Sequence, residues 1–227
     1  MDDDREPAEP ATLRGYPKGF ARRAAIVDVA TEFFGRVGYR GATMLQIAAA
    51  CGISRAGLLH HFPTKESLLE AVLSERDRAN RESLARDDGL ADDGLWALSD
   101  LVTVAGHNST SPTIVNLFAV LSAEAGDPGH PAHDYFVRRY ESTRARLQQA
   151  LERSRDCGLL APGVEPGPFA IELVALMDGL QVQWLLAPNL VDMGGLLQQR
   201  IESALTVPLP PAMTSGDGSE GAAILIG

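Results

Sequence analysis

The sequence predicts an all-α protein. An N-terminal three-helix head containing a helix-turn-helix is joined by a long helix to a C-terminal helical domain. Three observations carry this. Apolar residues recur at three-to-four spacing through almost every segment, residues that start and stop helices punctuate them, and no run alternates as a strand would. The chain divides accordingly into a tail at 1–13, a head at 14–63, a body at 64–207 and a second tail at 208–227.

The first tail, "MDDDREPAEPATL", is acidic and proline-bearing and reads as disordered. In "FARRAAIVDVATEFFGRVG", Ala25, Ile26, Val29, Phe33 and Val37 are expected to share the buried face, with Gly38 as a C-terminal stop. Thr43 and Gln46 have capping-box spacing and start a second helix, which ends near Cys51-Gly52. Ser54 caps a third, running to about Phe62. Pro63-Thr64 opens a long fourth to about Ala85, with the stripe Leu68, Leu69, Val72 and Leu73.

"GLWALSDLVTVAGH" is a fifth helix. Ser111 followed by Pro112 caps a sixth, "TIVNLFAVLSAEAG". After the turn Gly126-Asp127-Pro128-Gly129 come two long helices, "PAHDYFVRRYESTRARLQQALERSRDCG" and "VEPGPFAIELVALMDGLQVQWLLAP". Asp192 caps a last one to about Val207. "PLPPAMTSGDGSEGAAILIG" reads as a flexible tail.

The N-terminus has neither a basic n-region nor an apolar h-region, and no run approaches the ~18–20 uninterrupted apolar residues of a spanning helix. The expectation is a cytoplasmic protein with no membrane association. Cys51 and Cys157 are too sparse for a disulfide framework and are expected to be small buried apolar groups.

Net charge is −10, yet Arg14 to Lys65 carries eight basic and two acidic residues, so the acidity lies elsewhere. A basic module on an acidic body suits a nucleic-acid-binding head.

The stretch "IAAACGISRAGLLHHFPTKESLL" is where that head would act. A helix-turn-helix needs a small residue at the crossing, a left-handed turn position and apolar residues that lock the corner. Ala48, Gly52 and the set Ile47, Cys51, Ile53, Leu58 supply them. Ser54 caps the second helix of the corner, and Arg55, Ala56 and Gly57 form its first turn. The two small residues let it enter a major groove ~12 Å wide. A helical corner with no role in DNA binding has the same ingredients.

Residues 19–69 resemble the DNA-binding domain of the TetR (tetracycline-repressor) family. The resemblance rests on "FFGRVGYRGATM", "IAAACGIS" and "LLHHFPTKESLLEAVL": Gly38-Tyr39 after the first helix, Thr43 before the second, Ile53-Ser54 into the third, then His60, Phe62, Thr64, Lys65 and Glu66. Two positions depart from the family. Leu59 stands where members often have a phosphate-contacting tyrosine, and His61 replaces another aromatic. The resemblance implies DNA contacts from Tyr39, Thr43, Ser54, Arg55, Ala56, Gly57, His60, His61 and Lys65. Arg55 is the best placed for a guanine edge or a phosphate.

For the body, the resemblance implies a homodimer on a near-palindromic double-stranded DNA operator and a small-molecule effector. Phe169, Leu173, Met177, Gly179 and Leu180 are the expected dimer face, though the same stripe also suits the protomer's own core. Trp96, Val104, His107, Asn108, Leu117, Phe118, Leu121, Glu124, Gln181 and Trp184 are the expected pocket, an apolar wall with a few polar anchors suited to a hydrophobic ligand.

No cofactor or metal is expected: His130 and His133 stand three apart without a further ligand. There is no nucleophile elbow, P-loop or Gly-rich dinucleotide turn. The functional expectation is therefore a ligand-responsive transcriptional regulator, a repressor released from its operator by a small hydrophobic molecule. A non-DNA-binding helical adaptor and an all-α enzyme are the competing readings.

Overall fold

A computed structural model describes residues 16–83 and 93–211. The tail expected at 1–13, the rest of the C-terminal tail and the expected end of the fourth helix near Ala85 lie outside the described residues. Within them the chain forms nine helices: α1 (Tyr16–Gly41), α2 (Met44–Ala50), α3 (Arg55–His61), α4 (Lys65–Ser83), α5 (Leu95–Asn108), α6 (Pro112–Glu124), α7 (His133–Asp156), α8 (Pro166–Leu186) and α9 (Met193–Glu202). No strand occurs among the described residues; Leu160 and Leu205 form one isolated antiparallel bridge.

The local signals act where the sequence puts them. Thr43 Oγ1 accepts from the Gln46 amide while the Gln46 side chain accepts from the Thr43 amide, closing the capping box. Gly52 turns the corner with φ +64°. Ser54 Oγ accepts from the Gly57 amide at 3.0 Å, and Asp192 Oδ1 from the Gly195 amide at 2.9 Å. Thr64 and Ser67 cap each other at the start of α4. Ser111 makes no side-chain cap bond, so Pro112 alone marks the start of α6.

Two cores result. One joins α1–α4 to α6 and the start of α7 through Ile26, Phe34, Ile47, Leu58, Leu68 and Leu121. The other joins α5, α7, α8 and α9 through Leu98, Leu101, Leu147, Leu173, Met177 and Leu197. The α1 face is turned from the one expected. Ile26, Val27, Ala30 and Phe34 are buried, Phe33 is half-buried with the Arg36 guanidinium over its ring at 4.9 Å, and Ala25 and Val37 are exposed. Adjacent Phe33 and Phe34 make two faces equally apolar, and packing on α6 selects Phe34.

Other expectations are corrected. Cys51 is half-buried and Cys157 exposed. The last helix stops at Glu202, because Leu205 leaves it to pair with Leu160. The start of the expected C-terminal tail is docked: Leu209 is buried, and Ser99 Oγ donates to the Pro210 carbonyl at 3.0 Å. α8 is long and apolar enough to cross a membrane by length and composition. Eight of its 21 residues are buried, and six of these, Phe169 and Trp184 among them, lie in the body core.

Candidate nucleic-acid interface and effector cleft

The helix-turn-helix presents one open face. Ile47, Ala48 and Leu58 turn inward and are fully buried. Thr43, Ser54, Arg55, Ala56 and His60 are exposed, and Gly57, Leu59 and His61 half-exposed. Arg55 stands at the first residue of α3, unmatched by any hydrogen bond or ion pair to another described residue. The His60 and His61 rings meet edge-on at 5.6 Å.

Two expected contact residues face the other way. Lys65 Nζ donates to the Tyr39 carbonyl at 2.7 Å and the Ala42 carbonyl at 2.8 Å, and lies 4.2 Å from the centre of the Tyr39 ring. Two of its three donors thus tie α4 to the end of α1 and the turn that follows it. Tyr39 is buried against Phe34 and His130, and its hydroxyl donates to Glu66 Oε1 at 2.7 Å. Burial first, and then the bond to Glu66, push the phenol well above its usual range, so it stays a donor. Both residues brace the head rather than offer groups to phosphate.

That brace continues into the body. Gly38 breaks α1 with φ +74° and ψ 168°, a conformation essentially reserved for glycine. A Cβ there would run into the Glu124 carboxylate. Glu124 Oε2 accepts from the Tyr39 amide at 2.8 Å and lies 3.5 Å from His130 Nε2. Arg40 pairs with Asp127 in the next turn. His130 is almost fully buried; its Nδ1 accepts from the Ala132 amide at 3.1 Å, which places the ring proton on Nε2, facing Glu124. Burial lowers its pKa and outweighs the opposing field of Glu124. His133 Nδ1 lies 2.8 Å from the Ala125 carbonyl.

Glu124 therefore belongs to this clasp, not to a pocket. Sequence reasoning missed Arg40, Asp127 and His130 as its partners. The Asp127-Pro128-Gly129 turn is visible in the sequence, but nothing local links it to Tyr39.

The expected pocket residues do not converge. Leu117 and Leu121 pack on the head, and Val104 and Trp184 lie in the body core. Asn108 is buried, and Trp96 and His107 are half-buried, all on α5. Only Phe118 and Gln181 of that set line a common cleft. It opens between α6, α7 and α8, has a volume of about 280 Å³, and is also lined by Ser122, Tyr140, Asp178 and Val182. Tyr140 donates to Asp178 Oδ2 at 2.8 Å. Burial beside this carboxylate pushes the Tyr140 phenol up to about 12. Desolvation likewise raises Asp178. Behind the pair lies a space of about 10 Å³, room for roughly one water.

Four of the five expected dimer residues pack inside the protomer. Phe169, Leu173, Met177 and Leu180 are buried within the protomer, while Gly179 is half-exposed with open space beyond it. The outward side of α8 is a different stripe: Ile171, Ala175, Val182 and Leu186, with Leu190 just after the helix. α8 is apolar on both sides, which removes the contrast from which a face is read.

A helix-turn-helix head braced on an all-helical body, with an apolar helix face left outward, defines a class of DNA-binding regulator. The family model described as "Bacterial regulatory proteins, tetR family" matches residues 26–72. That for "BetI-type transcriptional repressor, C-terminal" matches residues 130–205. The chain belongs to the TetR family of bacterial regulatory proteins, a family of transcriptional regulators rather than enzymes.

Among relatives, the HTH-type transcriptional regulator RutR of Escherichia coli (strain K12) is 40% identical over 55 residues, 24% of this chain and 26% of RutR. The match thus spans about a quarter of that relative's length. A transcriptional regulator from Saccharomonospora viridis, solved in complex with choline, aligns over 82% of this chain and 98% of its own, with TM-score 0.67 and 20% identity. AibR, solved with isovaleryl coenzyme A and operator DNA, aligns over 84% and 99%, with TM-score 0.63 and 22% identity. At these identities the two structures establish the fold.

Proposed function

We propose that the protein is a dimeric, ligand-responsive transcriptional repressor that binds a near-palindromic operator and leaves it when a small molecule enters the cleft. The observation that carries this reading is the division of labour on α6. Leu117 and Leu121 grip α1, Asn116 Nδ2 donates to the Gly35 carbonyl at 2.5 Å, and Glu124 holds the Tyr39 amide, while Phe118 and Ser122 line the cleft. The α1–α6 interface is the most extensive between any two described helices. A ligand that moves α6 therefore moves the head through α1, making α6 a more direct lever than α4. AibR, held with both an acyl-coenzyme A and operator DNA, and the choline-bound regulator are relatives of this fold whose ligands make a small-molecule effector a natural extension.

In this reading Ser54, Arg55, Ala56, Gly57 and His60 of α3 meet the major groove, with Thr43 and His61 at the flanking phosphates. The outward stripe of α8 pairs with its copy, setting two recognition helices about 34 Å apart.

The test is anisotropy titration of the full chain against the DNA flanking its own gene. Affinity is expected to fall with rising salt, and Arg55→Ala is expected to cost roughly tenfold, as for one lost base or phosphate contact. Salt-independent binding, or an unchanged Arg55→Ala variant, refutes the assignment.

A further inference from the structure

We propose that the cleft between α6, α7 and α8 takes a cationic ligand, an organic amine or ammonium compound, whose charged end sits against the Asp178 carboxylate. This rests on the cleft being the effector site. Asp178 is the only charged side chain among the described residues that line it. An ionised carboxylate accepts hydrogen bonds and donates none, so the complementary group is a donor or a cation. Its hydrogen bond from Tyr140 leaves it further acceptor capacity.

The surroundings suit the rest of such a molecule. Phe118 and Tyr140 offer aromatic surface, which attracts cations electrostatically, and Ser122 and Gln181 are neutral. Arg139, a cation whose field acts on Asp178, does not line the cleft. Its guanidinium lies 5.1 Å from the centre of the Phe118 ring, reaches the Tyr135 hydroxyl at 3.5 Å, and borders the small space behind Asp178. Burial raises the Asp178 pKa, and the hydrogen bond from Tyr140 and then the field of Arg139 oppose that rise. Arg139 thus helps keep the carboxylate ionised without presenting a cation to an incoming ligand. An ammonium group entering the cleft adds a second positive partner and offsets the desolvation of Asp178.

Three probes of similar shape separate charge from shape: 2-phenylethylammonium, 2-phenylethanol and phenylacetate, each titrated calorimetrically into the full chain at pH 7.5. The amine is expected to bind at least tenfold more tightly than the alcohol, and phenylacetate most weakly. Asp178→Asn, which keeps an acceptor for Tyr140, is expected to abolish the amine's advantage while leaving the alcohol's affinity unchanged. Tyr140→Phe, which removes the competing donor, is expected to raise amine affinity.

Equal binding of amine and alcohol overturns the charge inference but leaves the cleft as a ligand site. Preference for phenylacetate overturns it in favour of Arg139. Binding of none of the three to the wild-type chain overturns both the inference and the cleft as an effector site. The wild-type comparison needs no variant, so a folding defect in Asp178→Asn cannot obscure it.

Discussion

Replacing Glu124 by alanine should separate the stability of the head from that of the body. Glu124 Oε2 accepts from the Tyr39 amide at 2.8 Å, and Tyr39 is buried. A hydrogen bond to a charged group contributes about 1.5–3 kcal/mol net, and an unpaired buried donor costs about 1–3 kcal/mol. The Glu124 side chain is 22% exposed, so water partly replaces it, and we expect a loss of about 2 kcal/mol. For a chain of this size that lowers Tm by roughly 4–8 °C. Glu124→Gln keeps a neutral acceptor and should lose about half as much. The assay is thermal unfolding at fixed protein concentration, since dimerisation shifts Tm by mass action. With the clasp cut, operator DNA should still bind, but an effector should no longer release it fully. A Tm change under about 1 °C in Glu124→Ala, or equal losses in the two variants, would refute the reasoning.

Other outcomes follow from the same geometry. Lys65→Met should destabilise the chain by about 1–3 kcal/mol through its two lost carbonyl bonds. It should leave the salt dependence of DNA binding unchanged, whereas loss of a true phosphate contact would lower the log–log slope by about 0.9. His130 has a lowered pKa, so between that value and the ~6.5 of the unfolded chain the unfolded state holds more protons. Stability should therefore fall as pH drops from 7 through 6.5, against the fields of Glu124 and Asp127 and with that of Arg40. His130→Asn should flatten this part of the denaturation profile. Ile171→Glu with Val182→Glu should convert a dimer into a 24.2 kDa species by light scattering; an unchanged mass would place the interface elsewhere.

What the sequence revealed was local. The Thr43–Gln46 box, the Gly52 turn and the Ser54 cap are signals contained within four residues, and each lies where its chemistry predicts. The α4 stripe is buried as read, from Leu68 to Leu73. Failures arose where a choice depends on distant partners. Phe33 and Phe34 offer two faces, and α6, about eighty residues later, selects one. Lys65 looks like a phosphate ligand until the carbonyls of Tyr39 and Ala42 are brought to it. Glu124 meets a backbone amide 85 residues away. α8 is apolar nearly all round, so its inner and outer sides cannot be separated by periodicity. The cleft suffered most, because Tyr140 and Asp178 become neighbours only when α7 packs on α8.

The two-sided α6 also bears on how such a protein diversifies. Leu117 and Phe118 are consecutive and both are buried in the head core, yet only Phe118 also meets the cleft. A substitution confined to the cleft side, at Ser122, would retune which molecule is sensed while the packing of α6 on α1 stays intact. New specificities are then reachable in single steps, without rebuilding the output. The same adjacency makes this chain a practical scaffold for engineered sensors, provided Leu117, Leu121 and Glu124 are left unchanged.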